Sequence, residues 1–279
     1  MQVGVHVSIA GGIDKAIDRS LEIGCNTFQI FTRNPRGWKY GDLRDNDVKN
    51  FQSKLKSSDL STPLIHMPYL PNIASPVDET YGKSVEALTA ELIRSSILTI
   101  PYVVTHVGSH LGSGKPRGMK RVISACNNAL EKSPSNTMIL LENTAGTKNS
   151  VGSTFEDLKA IINNIEQKDR VGICLDTCHA FAAGYDLRTK QDVNITMQLF
   201  DDVLGINLLK AIHLNDSKGN LGEGLDRHEH IGMGYIGEKG FKSIFKDSRI
   251  RDMPMILETP IDTRGDQKGD LKKVRELAD

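Results

Sequence analysis

The stretch Val171-Gly172-Ile173-Cys174-Leu175-Asp176-Thr177-Cys178-His179 reads as a strand covered on both faces that ends on a carboxylate and turns directly into a helix. Apolar or small residues on both parities suit a strand buried on each side. Seven further runs follow the same pattern: Gln2–Ser8, Thr27–Phe31, Pro63–Met67, Tyr102–Val107, Thr137–Asn143, Leu208–Leu214 and Met255–Thr259. Helical periods lie between them. Ile13 to Ile23 places Ile13, Ala16, Ile17 and Leu21 on one side, and Glu79 to Ile100 carries apolar residues at spacings of three and four. Phe155 to Ile165 repeats the pattern with Phe155, Leu158, Ile161, Ile162 and Ile165. Eight strand-then-helix units predict an α/β chain closed as a (β/α)₈ TIM barrel, and the length is close to the roughly 250 residues typical of that fold. A doubly wound parallel sheet is the alternative, because periodicity does not show whether the first strand pairs with the last. No linker or shift in composition divides the chain, so residues 1–279 are expected to form a single domain.

The 279 residues carry 35 Lys plus Arg against 35 Asp plus Glu, and 38% are hydrophobic. This is globular composition without the protein-wide basic field of a non-specific nucleic-acid binder. No apolar run is long enough to span a bilayer, and the N-terminus lacks the basic start and long apolar stretch of a secretory signal. Cys25, Cys126, Cys174 and Cys178 form no CxxC pair and no disulfide framework. A soluble protein of the reducing cytoplasm is expected.

Six of the eight apolar runs close on an imidazole or a carboxylate: His66, His106, Glu142, Asp176, His213 and Glu258. In a barrel these ends converge on the face where active sites are built. Burying three imidazoles and three acids together is costly unless something pairs them, and divalent metal is the economical solution. A single strand-end His is as readily an ordinary hydrogen-bonded residue; six in one register are poorly explained that way. Asp176 and His179 add a pair three residues apart, and Asp226 with His228 a pair two apart, which extended backbone points to one side. The nine candidates, five His, two Asp and two Glu, are too many for one metal and suit three ions sharing a carboxylate.

A nitrogen and oxygen set without thiolate favours Zn²⁺, with Mn²⁺ and Fe²⁺ as alternatives, over Mg²⁺. Three divalent ions outweigh four carboxylates, so a filled site is locally positive and attracts an anion. Ions about 3.5 to 4 Å apart can activate a water and clamp a phosphoryl group, which makes a phosphodiester the natural substrate.

Several segments are similar to signatures of the endonuclease IV family of apurinic/apyrimidinic endonucleases. They are Gly4-Val5-His6-Val7-Ser8, His106-Val107-Gly108-Ser109-His110, Leu141-Glu142-Asn143-Thr144-Ala145-Gly146, Gly172 to His179, His213-Leu214-Asn215-Asp216-Ser217-Lys218, Asp226-Arg227-His228-Glu229-His230-Ile231-Gly232 and Leu257-Glu258-Thr259. They run in order from the first strand to the last. The resemblance implies a xylose-isomerase-like TIM barrel with three Zn²⁺. It assigns one ion to His66, His106 and Glu142, a second to Glu142, Asp176, His213 and Glu258, and a third to His179, Asp226 and His228. It makes Glu142 and Glu258 the catalytic carboxylates, with Glu258 orienting the attacking water. It implies hydrolysis 5′ to abasic sites in duplex DNA, leaving a 3′-hydroxyl and a 5′-deoxyribose phosphate, and removal of blocked 3′ ends in base excision repair.

For DNA contacts the resemblance points to Arg36 and to the pair Tyr69-Leu70. Thr32 to Tyr40 has three basic residues, no acid and two aromatics, and the connection from Gly108 to Arg121 adds Lys115, Arg117, Lys120 and Arg121. Such loops on the active-site face would meet phosphates, and apolar side chains can enter the stack where a base is missing. The bland reading of the basic residues is solvated surface, and of Trp38 a packing role. One chain is expected to suffice for the damage site, as a monomer. The rivals are a metal-dependent sugar isomerase or epimerase, which would explain Glu142, Asp176, His213 and Glu258 but not the other five, and a damage-sensing binder with structural zinc.

Overall fold

Each of the eight apolar runs contains a parallel strand of one barrel in the computed structural model, which describes residues 1–279. The strands and helices alternate as β1 (Gln2–Val5), α1 (Lys15–Ile23), β2 (Gln29–Ile30), α2 (Asp45–Lys56), β3 (Leu64–His66), α3 (Asp78–Leu98), β4 (Tyr102–His106), α4 (Lys115–Glu131), β5 (Met138–Glu142), α5 (Phe155–Asn163) and β6 (Val171–Asp176). Then follow α6 (Thr177–Ala182), α7 (Lys190–Val203), β7 (Leu209–His213), a small antiparallel ribbon of β8 (Asp216–Ser217) and β9 (His228–Glu229), α8 (Gly237–Lys246), β10 (Pro254–Leu257) and α9 (Gln267–Ala278).

The strand order is β1-β10-β7-β6-β5-β4-β3-β2. First and last barrel strands pair in parallel from Gln2 with Pro254 to Val5 with Leu257. That ladder excludes the doubly wound alternative. The remaining seam, β1 to β2, is stitched by a bridge between His6 and Gln29 and by the Val7 N–H donating to the Gln29 carbonyl at 2.8 Å. Gly4 is obligatory there, because a Cβ on it would lie 1.7 Å from the Thr27 carbonyl oxygen.

Two cores result. A cluster of 58 buried residues fills the space between the strands and the surrounding helices. Inside the barrel sits a second, smaller one of Leu64, Val104, Leu140, Cys174, Ala211 and Ile256. Side chains two residues apart on a strand share a face, so the next inward positions above this layer are His66, His106, Glu142, Asp176, His213 and Glu258. One pleat separates the dry core from all six polar strand ends. The pleat also carries the inward series from Gly4 to His6 and from Thr27 to Gln29.

One expectation about the rim is corrected. Lys115, Arg117, Lys120 and Arg121 do not lie on a loop but in the first turns of α4, which begins at Lys115 with Pro116 in its first turn. Lys115 pairs with Asp157 at 2.9 Å, and Arg121 pairs with Asp78 at 2.7 Å while covering the Tyr81 ring. Two of the four cations are therefore engaged by neighbouring helices.

Candidate metal centre

Glu142 ends β5 on the barrel axis, fully buried, with four imidazoles against its two oxygens. His66 Nε2 and His106 Nε2 each lie 3.2 Å from Oε2, while His213 Nδ1 at 3.0 Å and His179 Nδ1 at 3.3 Å face Oε1. Glu258, the first residue beyond β10, approaches His213 Nδ1 at 3.4 Å, and Asp176 lies 3.9 Å from the same nitrogen. Glu142, Asp176, His213 and Glu258 thereby bring four ligand atoms within 4.8 Å of one another, and His66, Glu142 and His213 bring three.

A further group forms at the edge of this cluster. His179 in α6, the loop residue Asp226 and His228 at the start of β9 gather their ligand atoms within the same 4.8 Å. His179 Nε2 is 3.1 Å and His228 Nε2 3.8 Å from Asp226 Oδ1. His228 reaches inward because β9 pairs with β8, which follows β7 after only two residues. The loop is held from behind by the buried Asp216 carboxylate, which accepts N–H bonds from Ser217, Gly232, Gly234 and Ile236. All nine strand-end and loop candidates are thus brought together at the C-terminal mouth of the barrel.

Three of the imidazoles share one hydrogen-bonding design. His66 Nδ1 is bonded to the Met67 carbonyl at 2.6 Å, His179 Nδ1 to the Asn143 carbonyl at 2.9 Å and His228 Nδ1 to the Glu258 carbonyl at 3.1 Å. Each carbonyl can only accept, which assigns a proton to Nδ1 and, in the neutral ring, leaves the Nε2 lone pair available to a metal ion on the carboxylate side. His228 Nε2 is buried and has no hydrogen-bond partner at all. An orphaned buried nitrogen near two carboxylates is suited to bind a cation, so the donor set fits divalent metal.

Electrostatics agree. Burial would raise the Glu142 pKa, but the imidazoles of His106 and His213 hold it well below the carboxylate range. Glu258 is likewise driven down to about 2 against its burial, chiefly by His213 and His66. The hydrogen bond from His179 takes Asp226 to about 2. His213 and His179 are raised well above their ordinary value despite burial, by Cys174, Glu258 and Glu142 in the first case and by Asp176, Asp226 and Glu142 in the second. Glu142, Glu258 and Asp226 are thus held ionised by the imidazoles that face them.

Sequence reading passed over the residues that align this set. Gln29 is fully buried and touches His6, His213 and Glu258. Asn143 accepts from the Asp176 N–H at 2.7 Å, and Asn215 donates to Asp176 Oδ2 and accepts from the Glu258 N–H, both at 2.8 Å. A signal existed: Asn143 and Asn215 follow ligand positions by one and two residues, and Gln29 sits on the inward parity of β2. His110 serves differently, accepting from the Gly112 and Gly114 N–H groups ahead of α4. His230 lies between Asp270 at 2.7 Å and Asp262 at 3.2 Å, outside the cluster. Cys178 is buried, and its Sγ points to the Arg227 carbonyl.

The three DNA candidates lie at the rim. Tyr69 is 69% exposed, with its ring edge-on to Phe31 at 5.2 Å and 6.5 Å from His66; Leu70, next in sequence, and Arg36, in the connection after β2, are exposed as well. Trp38 is half-buried with Lys83 over its ring at 6.0 Å, a packing arrangement. No helix is long and apolar enough to cross a membrane.

A family model described as xylose isomerase-like TIM barrel matches residues 17–278. A probable endonuclease 4 of Methanoculleus marisnigri is 54% identical over 277 residues, 99% of this chain and 98% of that protein. The crystal structure of endonuclease IV from Thermus thermophilus superposes with a TM-score of 0.89 at 34% identity, covering 99% of this chain and 98% of that one. A D-tagatose 3-epimerase-like protein shares the fold at 21% identity and a TM-score of 0.72, covering 100% of this chain and 98% of that one. With near-complete coverage at such identity, the chain belongs to the endonuclease IV family of xylose isomerase-like TIM barrels.

Proposed function

We propose that residues 1–279 act as one unit, a zinc-dependent apurinic/apyrimidinic endonuclease of base excision repair. It hydrolyses the phosphodiester 5′ to an abasic site in duplex DNA, leaves a 3′-hydroxyl and a 5′-deoxyribose phosphate, and clears blocked 3′ ends. The observation that carries this reading is the convergence of nine imidazole and carboxylate groups on Glu142 and its neighbours, five more than a one-metal sugar epimerase needs. His66, His106 and Glu142 would hold one ion, Glu142, Asp176, His213 and Glu258 a second, and His179, Asp226 and His228 a third. Zn²⁺ suits this nitrogen-rich set, with Mn²⁺ or Fe²⁺ as substitutes at single positions. Bound ions would supply Lewis-acid activation of water and compensation of phosphoryl charge.

The chain's own groups do the rest. Glu142 lies between two of the ligand groups and would tie them together. Glu258 presents an ionised carboxylate among imidazoles and orients the attacking water. The exposed Tyr69 and Leu70 are suited to fill the gap left by a missing base, and Arg36 to bind a backbone phosphate. One chain contributes every residue, so a monomer suffices.

The test is incision of a 5′-labelled duplex carrying one tetrahydrofuran abasic analogue, in EDTA without added magnesium. The analogue cannot undergo β-elimination, so a cut on its 5′ side leaving a 3′-hydroxyl is the expected result, together with about three metal ions per chain. No cut by fully metallated protein would overturn the reading and redirect the search to free or phosphorylated sugars.

A further inference from the structure

Three imidazoles of the centre, His66, His179 and His228, have their outward nitrogen fixed by a backbone carbonyl, and His213 differs from them. His213 faces the carboxylates with Nδ1, at 3.0 Å from Glu142 and 3.4 Å from Glu258, and its outward nitrogen Nε2 meets a side chain, the amide oxygen of Gln29, at 2.9 Å. The other end of that amide donates from Nε2 to Glu258 Oε1 at 2.6 Å and lies 3.2 Å from His6 Nδ1. Both ends are therefore engaged, with opposite polarity.

We infer that Gln29 is a positioning residue for the metal centre: its carbonyl holds the His213 proton on Nε2 so that Nδ1 can ligate, while its amide N–H holds Glu258 in place. The inference rests on the metal-centre part of the proposed function. Its logic is donor and acceptor matching. A neutral imidazole carries one N–H and one lone pair, and an acceptor at Nε2 selects the tautomer whose Nδ1 is free to bind metal. Rotating the amide by half a turn would set its oxygen against the Glu258 carboxylate and its N–H groups against His213 Nε2, favouring the tautomer that cannot ligate through Nδ1. Glu258, an acceptor only, and His6 Nδ1 therefore hold the amide in the productive orientation. Gln29 is 0% exposed, so water cannot substitute for either contact. It also stands at the β1–β2 seam, so closure of the barrel delivers the amide to a histidine and a carboxylate on β7 and β10.

A merely space-filling role for Gln29 makes different predictions. Gln29→Met keeps the volume and removes all three hydrogen bonds; Gln29→Glu keeps an acceptor toward His213 but faces Glu258 with a like charge. The measurement is the rate at which metal-loaded protein loses ions to a chromogenic chelator, alongside ¹⁵N shifts of the histidine ring nitrogens in the loaded state and a thermal melt to check folding. For Gln29→Met we expect a metal affinity lower by roughly 10- to 100-fold and a His213 ring signature shifted away from the parent's protonated Nε2. Gln29→Glu should retain the parent His213 signature yet also release metal faster. Parent-like metal loss and unchanged His213 shifts in a folded Gln29→Met, with a parent that holds its ions, would overturn this inference alone. A parent holding no tightly bound ion would overturn both this inference and the metal-centre reading.

Discussion

The lower and upper layers of the barrel interior lie one pleat apart on the same six strands, yet they carry opposite chemistry. Below are Leu64, Val104, Leu140, Cys174, Ala211 and Ile256, all 0% exposed and packed as one apolar cluster with Tyr102 and Met138 at its flank. Above, two residues along each strand, are His66, His106, Glu142, Asp176, His213 and Glu258. The lower layer stabilises the fold by removing apolar surface from water, at about 25 cal/mol per Å². The upper layer opposes folding unless its charges are compensated. Strand geometry does not distinguish the layers. What differs is whether a side chain is content in a dry interior or needs a cation beside it, so stability is unconditional below and conditional above.

The strongest way to break this contrast is Glu142→Leu, which extends the apolar layer upward by one residue. Incision should fall by orders of magnitude, and the metal-stripped protein should lose about 3–5 kcal/mol in a denaturant melt, because four imidazoles lose their common counter-charge. A more stable stripped protein would show that the upper layer costs stability through Glu142 itself. Leu140→Ala, one pleat lower, should lose about 2–5 kcal/mol, with incision per folded molecule unchanged. If that variant loses metal as well, the layers are coupled and the contrast fails.

A pH series sharpens the conditional character of the upper layer. In the metal-stripped chain His213 and His179 hold protons above their ordinary range. That contribution is complete below about pH 6.5 and is lost as pH rises through the higher folded values. The melting temperature of stripped protein should therefore drop on the alkaline side, while the metal-loaded protein stays level there. Parallel curves would mean that these protons do not stand in for metal.

Glu258→Gln should separate chemistry from binding: affinity for abasic duplex largely survives, while hydrolysis falls. Equal loss of both would make the residue a scaffold. The smallest structural effect is expected at the rim, where Tyr69→Ala should change stability by no more than about 0.5 kcal/mol yet raise the KM for abasic duplex. An unchanged KM would remove Tyr69 from the DNA-contact set.

Much of this arrangement was legible in the chain before any coordinates. The eight apolar runs with helical periods between them predicted the barrel, since a strand buried on both faces leaves a continuous apolar signature. Those continuous runs made the polar strand ends conspicuous: an Asp after Val171 to Leu175, or a His after Leu208 to Ile212, breaks a largely apolar stretch. The first turns of α4 were not legible as a helix, because Gly112, Gly114 and Pro116 all signal a turn, and Pro116 at the helix start reads locally like a loop proline. Gln29 went unnoticed for a different reason. Inside a short strand it is a single uncharged residue, and nothing nearby in sequence reveals that its partners are His213 and Glu258, 184 and 229 residues away.

Sequence alone thus determined the fold class, the strand ends at which polar residues accumulate, and the family these motifs resemble, because each is a local property: periodicity, a pattern break, a run of consecutive residues. Tertiary structure decided closure, orientation and pairing. Only the ladder from β1 to β10 together with the β1–β2 bridge between His6 and Gln29 turns an open order into a ring. Only folding reveals which imidazole nitrogen faces inward, since that choice depends on whether Met67, Asn143, Glu258 or the Gln29 side chain supplies the acceptor on the other side. A proton's place on a histidine ring is set by contacts across the barrel, and those contacts exist only once eight distant strands have closed around the same axis.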